Sequence, residues 1–139
     1  MTTDATGPLN GIRVLDLGGM RTAYAARILA DMGADVILIE SPAGDPTRRM
    51  SPFAGDVEDA DRSLVFLAFN TNKRSVVLDL STEDQRSRFR ELASQADVIL
   101  EGFKPGHLAE MNLDYALLAE TNPGLVFCSV TPFGQTGPY

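Results

Sequence analysis

Residues 12–40 constrain the fold more than any other stretch of the sequence. Ile12 to Leu17 is apolar except for Arg13 and Asp16 and stops at Gly18-Gly19, which reads as a short buried strand ended by a tight turn. From Thr22 the period becomes helical. Ala25, Ile28, Leu29 and Met32 fall at i, i+3, i+4 and i+7 and form the expected apolar face, and Gly33 stands where a left-handed residue closes a helix. Val36 to Ile39 is again continuously apolar and ends in Glu40. Strand, helix and strand in so short a run make a βαβ unit, whose two strands must lie parallel.

The remainder repeats the alternation after an interruption. Residues 43–62 hold three Arg and five acidic residues among Pro and Gly, with no sustained apolar period, and read as an irregular excursion of the kind that is often functional or mobile. Ser63 to Phe69 is long enough for one or two helical turns. A polar turn, Asn70 to Arg74, leads into the strand Ser75 to Leu80. Ser81 or Thr82 then caps a helix whose inner face is Phe89, Leu92, Ala93 and Ala96. Val98 to Leu100 is the next strand, Leu108 with Met111 and then Tyr115, Leu117 and Leu118 mark two short helices, and Leu125 to Val130 is a last strand containing Cys128, expected to be buried. The order is that of an α/β fold with a doubly wound, mainly parallel sheet.

Charge and cysteine content exclude several functions. With 12 Lys plus Arg against 19 Asp plus Glu the chain carries a net charge of −7, which disfavours nucleic acid as a partner because phosphate neutralisation needs a basic face. No apolar run is long enough to span a membrane, and Met1 to Asn10 lacks the basic and apolar regions of a secretory leader. The single cysteine forms no internal disulfide, so a reduced, cytoplasmic location is expected. The Gly- and Pro-rich Thr131 to Tyr139 follows the last strand at the position where such sheets bind ligands, and a domain rarely ends on such a segment; the expectation is a part of a longer domain.

Candidate chemistry is sparse. The turn Gly18 to Ala23 lacks the G-x-G-x-x-G spacing of a dinucleotide site, although Glu40 stands about where a ribose-binding acid would be. Arg21 at the helix entrance could add charge to an anion site. Asn70 to Ser75 gathers two cations, two carboxamides and two hydroxyls, which suits phosphate binding but equally a solvated turn. Phe103 and Lys104 follow another strand's carboxyl end. His107 has no partners at triad spacing, Cys128 reads as packing rather than nucleophile, and no cluster has metal-ligand spacing. Asp16 and Asp79 could cap neighbouring loops as easily as act as bases.

Six ordered stretches resemble the class III coenzyme A transferases, the CaiB/BaiF family that includes formyl-CoA transferase, carnitine CoA-transferase and α-methylacyl-CoA racemase. They are Gly7-Pro-Leu-Asn-Gly-Ile-Arg-Val-Leu-Asp-Leu17, Ala30-Asp-Met-Gly-Ala-Asp-Val36, Asn70-Thr-Asn-Lys-Arg-Ser75, Ala96-Asp-Val-Ile-Leu-Glu-Gly-Phe-Lys-Pro-Gly106, Asn122-Pro-Gly-Leu125 and Phe133-Gly-Gln-Thr-Gly-Pro-Tyr139. Members are considerably longer and form interlocked homodimers. The resemblance therefore implies that residues 1–139 are the N-terminal, Rossmann-like half of a CoA-transferase large domain, contributing to a coenzyme A site without a metal. It implies that Asn70, Lys73, Arg74 and Leu78 lie along the nucleotide and pantetheine near the carboxyl ends of the sheet, with Phe103, Lys104 and Met111 beside them. Met20 and Arg21 fall near the acyl site.

The departures from the family pattern concern the acyl group and CoA affinity. Ala23-Tyr24 replaces a Gly-Pro common at the first helix, Arg21 stands where a small or polar residue is frequent, Ser41 replaces an Arg, and Gly102 replaces an Asn. The resemblance further implies exchange of CoA between an acyl-CoA and a carboxylic acid through an aspartate nucleophile, which forms an anhydride and then a thioester. That aspartate, like the racemases' catalytic His and Asp, lies beyond Tyr139, so the chain by itself holds no catalytic residue and is expected to be inactive. A racemase-type member, a non-catalytic CoA-binding module or half of a split enzyme, and an NAD-binding domain remain the alternatives.

Overall fold

The computed structural model describes residues 7–138; Met1 to Thr6 of the leader reading and Tyr139 of the last motif lie outside them. Strands β1 (Arg13–Asp16), β2 (Asp35–Glu40), β3 (Arg74–Val77), β4 (Val98–Glu101) and β5 (Val126–Ser129) form one sheet in the order β3-β2-β1-β4-β5, and every neighbouring pair is parallel. The helices are α1 (Met20–Asp31), α2 (Leu64–Asn70), α3 (Glu83–Ala93), α4 (His107–Glu110) and α5 (Tyr115–Thr121). From β1 the chain winds outward to β2 and β3, returns to β4 beside β1, and proceeds to β5. The switch point, where such sheets open a crevice for ligands, therefore lies at the carboxyl ends of β1 and β4.

Strand pleating sorts the core into two layers. Val14 and Val36 pack with Ala26 and Ala30 of α1 on one face, while Leu15, Ile37 and Ile99 meet Phe89 and Ala93 of α3, Leu113 and Leu118 on the other. With both faces covered, β1, β2 and β4 read as near-continuous apolar runs, which is why they were legible in the sequence.

Two expectations about burial are corrected. The face that α1 buries is Thr22, Ala23, Ala26 and Ala30, whereas Ile28 and Met32 are 42% and 40% exposed and Ala25 is exposed too. Small side chains let the helix lie close on the sheet; of the expected face Leu29 packs, partly buried, against that layer, and on the outer side the Tyr24 ring meets Phe69 of α2 edge-on, 5.9 Å between centroids. Gly33 does close the helix, with φ +98° and its N–H donating to Ala30. The second correction is Cys128. β5 is an edge strand paired on one side with β4, and the thiol is exposed rather than packed.

The excursion is held together by buried polar groups. Asp45 accepts from the Thr47 N–H at 2.8 Å and from its hydroxyl, starting a short 3-10 turn at Pro46–Arg49. The fully buried Ser63 hydroxyl reaches the Thr47 and Met50 carbonyls at 2.7 and 2.6 Å and accepts from Phe66 N–H at 3.1 Å, which caps α2. Among the described residues no helix is long and apolar enough to cross a membrane.

Candidate functional site

At the base of the switch-point crevice the Gly18-Gly19 turn is tied down by two buried carboxylates. Asp16 Oδ1 accepts from Gly18 N–H at 3.0 Å and the Thr22 hydroxyl at 2.6 Å, and Oδ2 takes the Lys73 ammonium at 2.8 Å. Lys73 also donates to the Ala23 carbonyl (2.9 Å) and Asn70 Oδ1 (2.8 Å), and its side chain is 1% exposed. From the excursion, Asp45 Oδ2 accepts from Gly19 N–H at 2.8 Å. A carboxylate thus stands on the N–H that a dinucleotide phosphate would use at this turn.

Gly18 has φ +80°, and a methyl group there would stand 2.5 Å from Asp45 Oδ2. Gly18→Ala combines a left-handed backbone penalty with the displacement of that carboxylate. It is expected to destabilise by roughly 2 to 3 kcal/mol, read as a lower urea midpoint with unchanged slope.

Glu40, the acid in the ribose position, is fully engaged by its own chain. Arg48 Nε and Nη2 donate to its two oxygens at 2.7 and 2.8 Å, the Ser75 hydroxyl adds 2.5 Å and the Asp45 N–H 2.8 Å. These donors, Arg48 first, outweigh burial and hold its carboxyl at about 2. Arg48 itself lies over the Phe66 ring, 3.7 Å from its centroid. No lone pair on Glu40 is left for a ribose.

Above these anchors opens a cleft of about 740 Å³, walled by Leu17, Ile39, Leu78, Phe103 and Met111 with Met20, Arg21 and Arg49 among its polar and sulfur-bearing edges. Arg21 Nη1 donates to the Gly102 carbonyl at 2.6 Å and Arg49 Nη2 to that of Ala43 at 2.6 Å. Neither guanidinium has a carboxylate within ion-pair distance among the described residues. The remaining cleft carboxylate, Asp79, accepts from the Ser81 hydroxyl and N–H, which lower its pKa.

The residues singled out from sequence separate into groups. Leu78, Phe103, Met111, Met20 and Arg21 line the cleft, as does the exposed His107, whose ring is 4.9 Å from Phe103. Lys104 lines a smaller recess of about 360 Å³ between β4, β5, α4 and α5. Asn70 and Lys73 are turned inward, and the expected placement at the carboxyl ends is corrected: Arg74 begins β3 and its Nε and Nη2 clasp Asp35, the first residue of β2, at the sheet's amino side. Asp16 and Asp79 both act as loop caps. Arg48, Arg49 and Asp45 carried no site assignment, though Asp45-Pro46 has the form of a helix start with Pro in the first turn, a signal that could have marked them. Among the described residues no group of three or more His, Cys, Asp or Glu is placed to hold a metal ion.

The model of CoA-transferase family III matches residues 9–139. The chain belongs to that family. It is 45% identical over 126 residues to the succinyl-CoA:(R)-benzylsuccinate CoA-transferase subunit BbsE of Thauera aromatica, covering 91% of this chain and 31% of that protein. Against the succinate–glutarate CoA-transferase of Agrobacterium fabrum the identity is 46% over 138 residues, covering 95% and 34%. The crystal structure of a CaiB/BaiF family protein from Brucella suis shares 46% identity and a TM-score of 0.88, covering 96% of this chain and 35% of that one. The chain spans about a third of the length of the curated relatives it matches. As a family III protein it has the family's α/β sheet, and Arg21 and Gly102, 81 positions apart in the chain, touch one another.

Proposed function

We propose that this chain supplies one wall of the CoA site in a protein that exchanges CoA between an acyl thioester and a carboxylic acid. The observation that carries the reading is the cleft: apolar walls at the switch point, with two guanidiniums that no carboxylate among the described residues neutralises. A pantetheine arm suits the Leu78, Phe103 and Met111 wall, and phosphates suit the fork of Arg49. In this reading Asn70 and Lys73 set the floor of the site by fixing the Gly18-Gly19 turn, Lys104 borders the site, and Arg74 holds the register of β2 and β3. The names of the two relatives above support transfer over racemisation.

The nucleophile that such exchange requires is assigned outside this chain. Asp16, Glu40 and Asp45 are buried and filled by donors of their own, which leaves none of them free to attack a thioester. A homodimer is in keeping with the exposed apolar side chains of Tyr24, Ile28 and Leu67 on the outer side of α1 and α2, and a cytoplasmic setting with the exposed Cys128 thiol.

Calorimetric titration of the complete protein with CoA and with NAD tests the reading. CoA is expected to bind and Phe103→Ala to weaken it about ten-fold, the loss of one apolar ring face. Tighter binding of NAD than of CoA would overturn it.

A further inference from the structure

Arg21, the second residue of α1, sends its side chain across the cleft from the β1 side to the β4 side. Besides the bond from Nη1 to the Gly102 carbonyl, its stem lies directly on Gly102: a methyl group at residue 102 would stand 2.9 Å from Arg21 Cβ and 3.3 Å from Cδ. The backbone at Gly102 is not left-handed, so nothing in its dihedral angles calls for glycine. The close passage of the arginine does.

What this passage delivers is a positive group held in place with most of its donors unused by the described residues. A guanidinium presents a planar fork of N–H donors, of which the Gly102 carbonyl takes one. In a chain with an excess of acidic residues, every carboxylate lining the cleft is engaged elsewhere: Glu40 by Arg48, Asp45 by Gly19 and Thr47, and Asp79 by Ser81. The other such guanidinium in the cleft, Arg49, is anchored on the excursion at Ala43, on the β2 side. The Arg21 fork is instead anchored just past the carboxyl end of β4, at the Gly102 carbonyl, in the cleft that the Gly18-Gly19 turn and Phe103 also line.

We propose that Arg21, positioned by Gly102, binds a carboxylate of the acid being exchanged other than the one that reacts, so that the protein selects dicarboxylic acids. This rests on the reading of the cleft as a CoA-transfer site. A planar fork paired with a planar carboxylate gives two parallel hydrogen bonds, and a monocarboxylic acid of the same length leaves the fork unmatched. Gly102 is a positioning residue: a side chain there moves the arginine without removing it.

The complete protein and its Arg21→Gln, Arg21→Lys and Gly102→Ala variants are titrated separately with succinate, with butyrate and with CoA, and each variant's thermal unfolding is recorded. Succinate is expected to bind at least about ten-fold more tightly than butyrate in the unsubstituted protein. Arg21→Gln and Gly102→Ala should bring that ratio close to one, Arg21→Lys should keep part of it, and CoA affinity should change by less than about two-fold. Arg21→Gln truncates an exposed side chain, so it reports even where Gly102→Ala fails to fold. A succinate preference that survives Arg21→Gln, no preference in the unsubstituted protein, or a loss of CoA affinity in place of the succinate preference overturns the proposal, the last marking Arg21 as a phosphate ligand. A succinate preference that depends on Arg21 in a protein that fails to bind CoA supports the carboxylate site and refutes the transfer reading beneath it.

Discussion

Lys73→Met is expected to destabilise the protein by about 3 to 5 kcal/mol. The ammonium is 1% exposed and the Asp16 side chain 0%, so the charge left behind on Asp16 gains no water when its partner goes. The Ala23 carbonyl and Asn70 Oδ1 lose a donor in the same change. Pairing the substitution with Asp16→Asn removes the stranded charge, and the double variant should recover at least about half of the loss. Urea midpoints of the three variants of the complete protein measure this. A loss below about 1 kcal/mol for Lys73→Met would mean that the lysine is a solvated surface group, since exposed pairs are worth no more than that.

The Lys73 network marks the limit of what was legible in the sequence. Asn70 to Ser75 was read as either a phosphate cradle or a solvated turn, because a run of polar residues carries no record of which side chain folds under its neighbour. Lys73 does neither: it reaches into the gap between β1 and α1 to a partner 57 positions away. The sheet was readable for the opposite reason, since strands covered on both faces leave continuous apolar runs at Ile12 to Leu17 and Val36 to Ile39. On α1 the same logic misled. A helix pressed close to a sheet buries Thr22, Ala23, Ala26 and Ala30, whose small side chains carry little hydrophobic signal, and exposes larger residues such as Ile28 that carry more. Arg21 and Gly102 were each visible as departures from the family pattern. That they form one contact follows only from the adjacency of β1 and β4, which sequence distance conceals.

Arg48→Met is expected to cost about 3 to 5 kcal/mol at neutral pH, by stranding a Glu40 carboxylate that is 3% exposed. This effect should fade in acid. In the folded protein the Arg48, Ser75 and Asp45 donors hold the Glu40 carboxyl at about 2, against 4.5 for an ordinary glutamate. The folded state therefore releases this proton more readily than the unfolded state, and the difference is worth roughly 3 kcal/mol of stability. That stability is fully present above about 4.5 and is lost as the pH falls through about 2. Other carboxylates, such as Glu83 on α3 with its bonds from Arg90 and Arg86, also titrate in acid with lowered pKa values, so the wild-type curve alone does not isolate Glu40. The difference between wild type and Arg48→Met does. Without the guanidinium the carboxyl protonates readily on acidification and the variant escapes its own penalty, so the gap between the two urea midpoints should close across that window. A gap that stays constant between neutral pH and about 2 would show that Arg48 stabilises through its stacking on Phe66 rather than through the charge on Glu40.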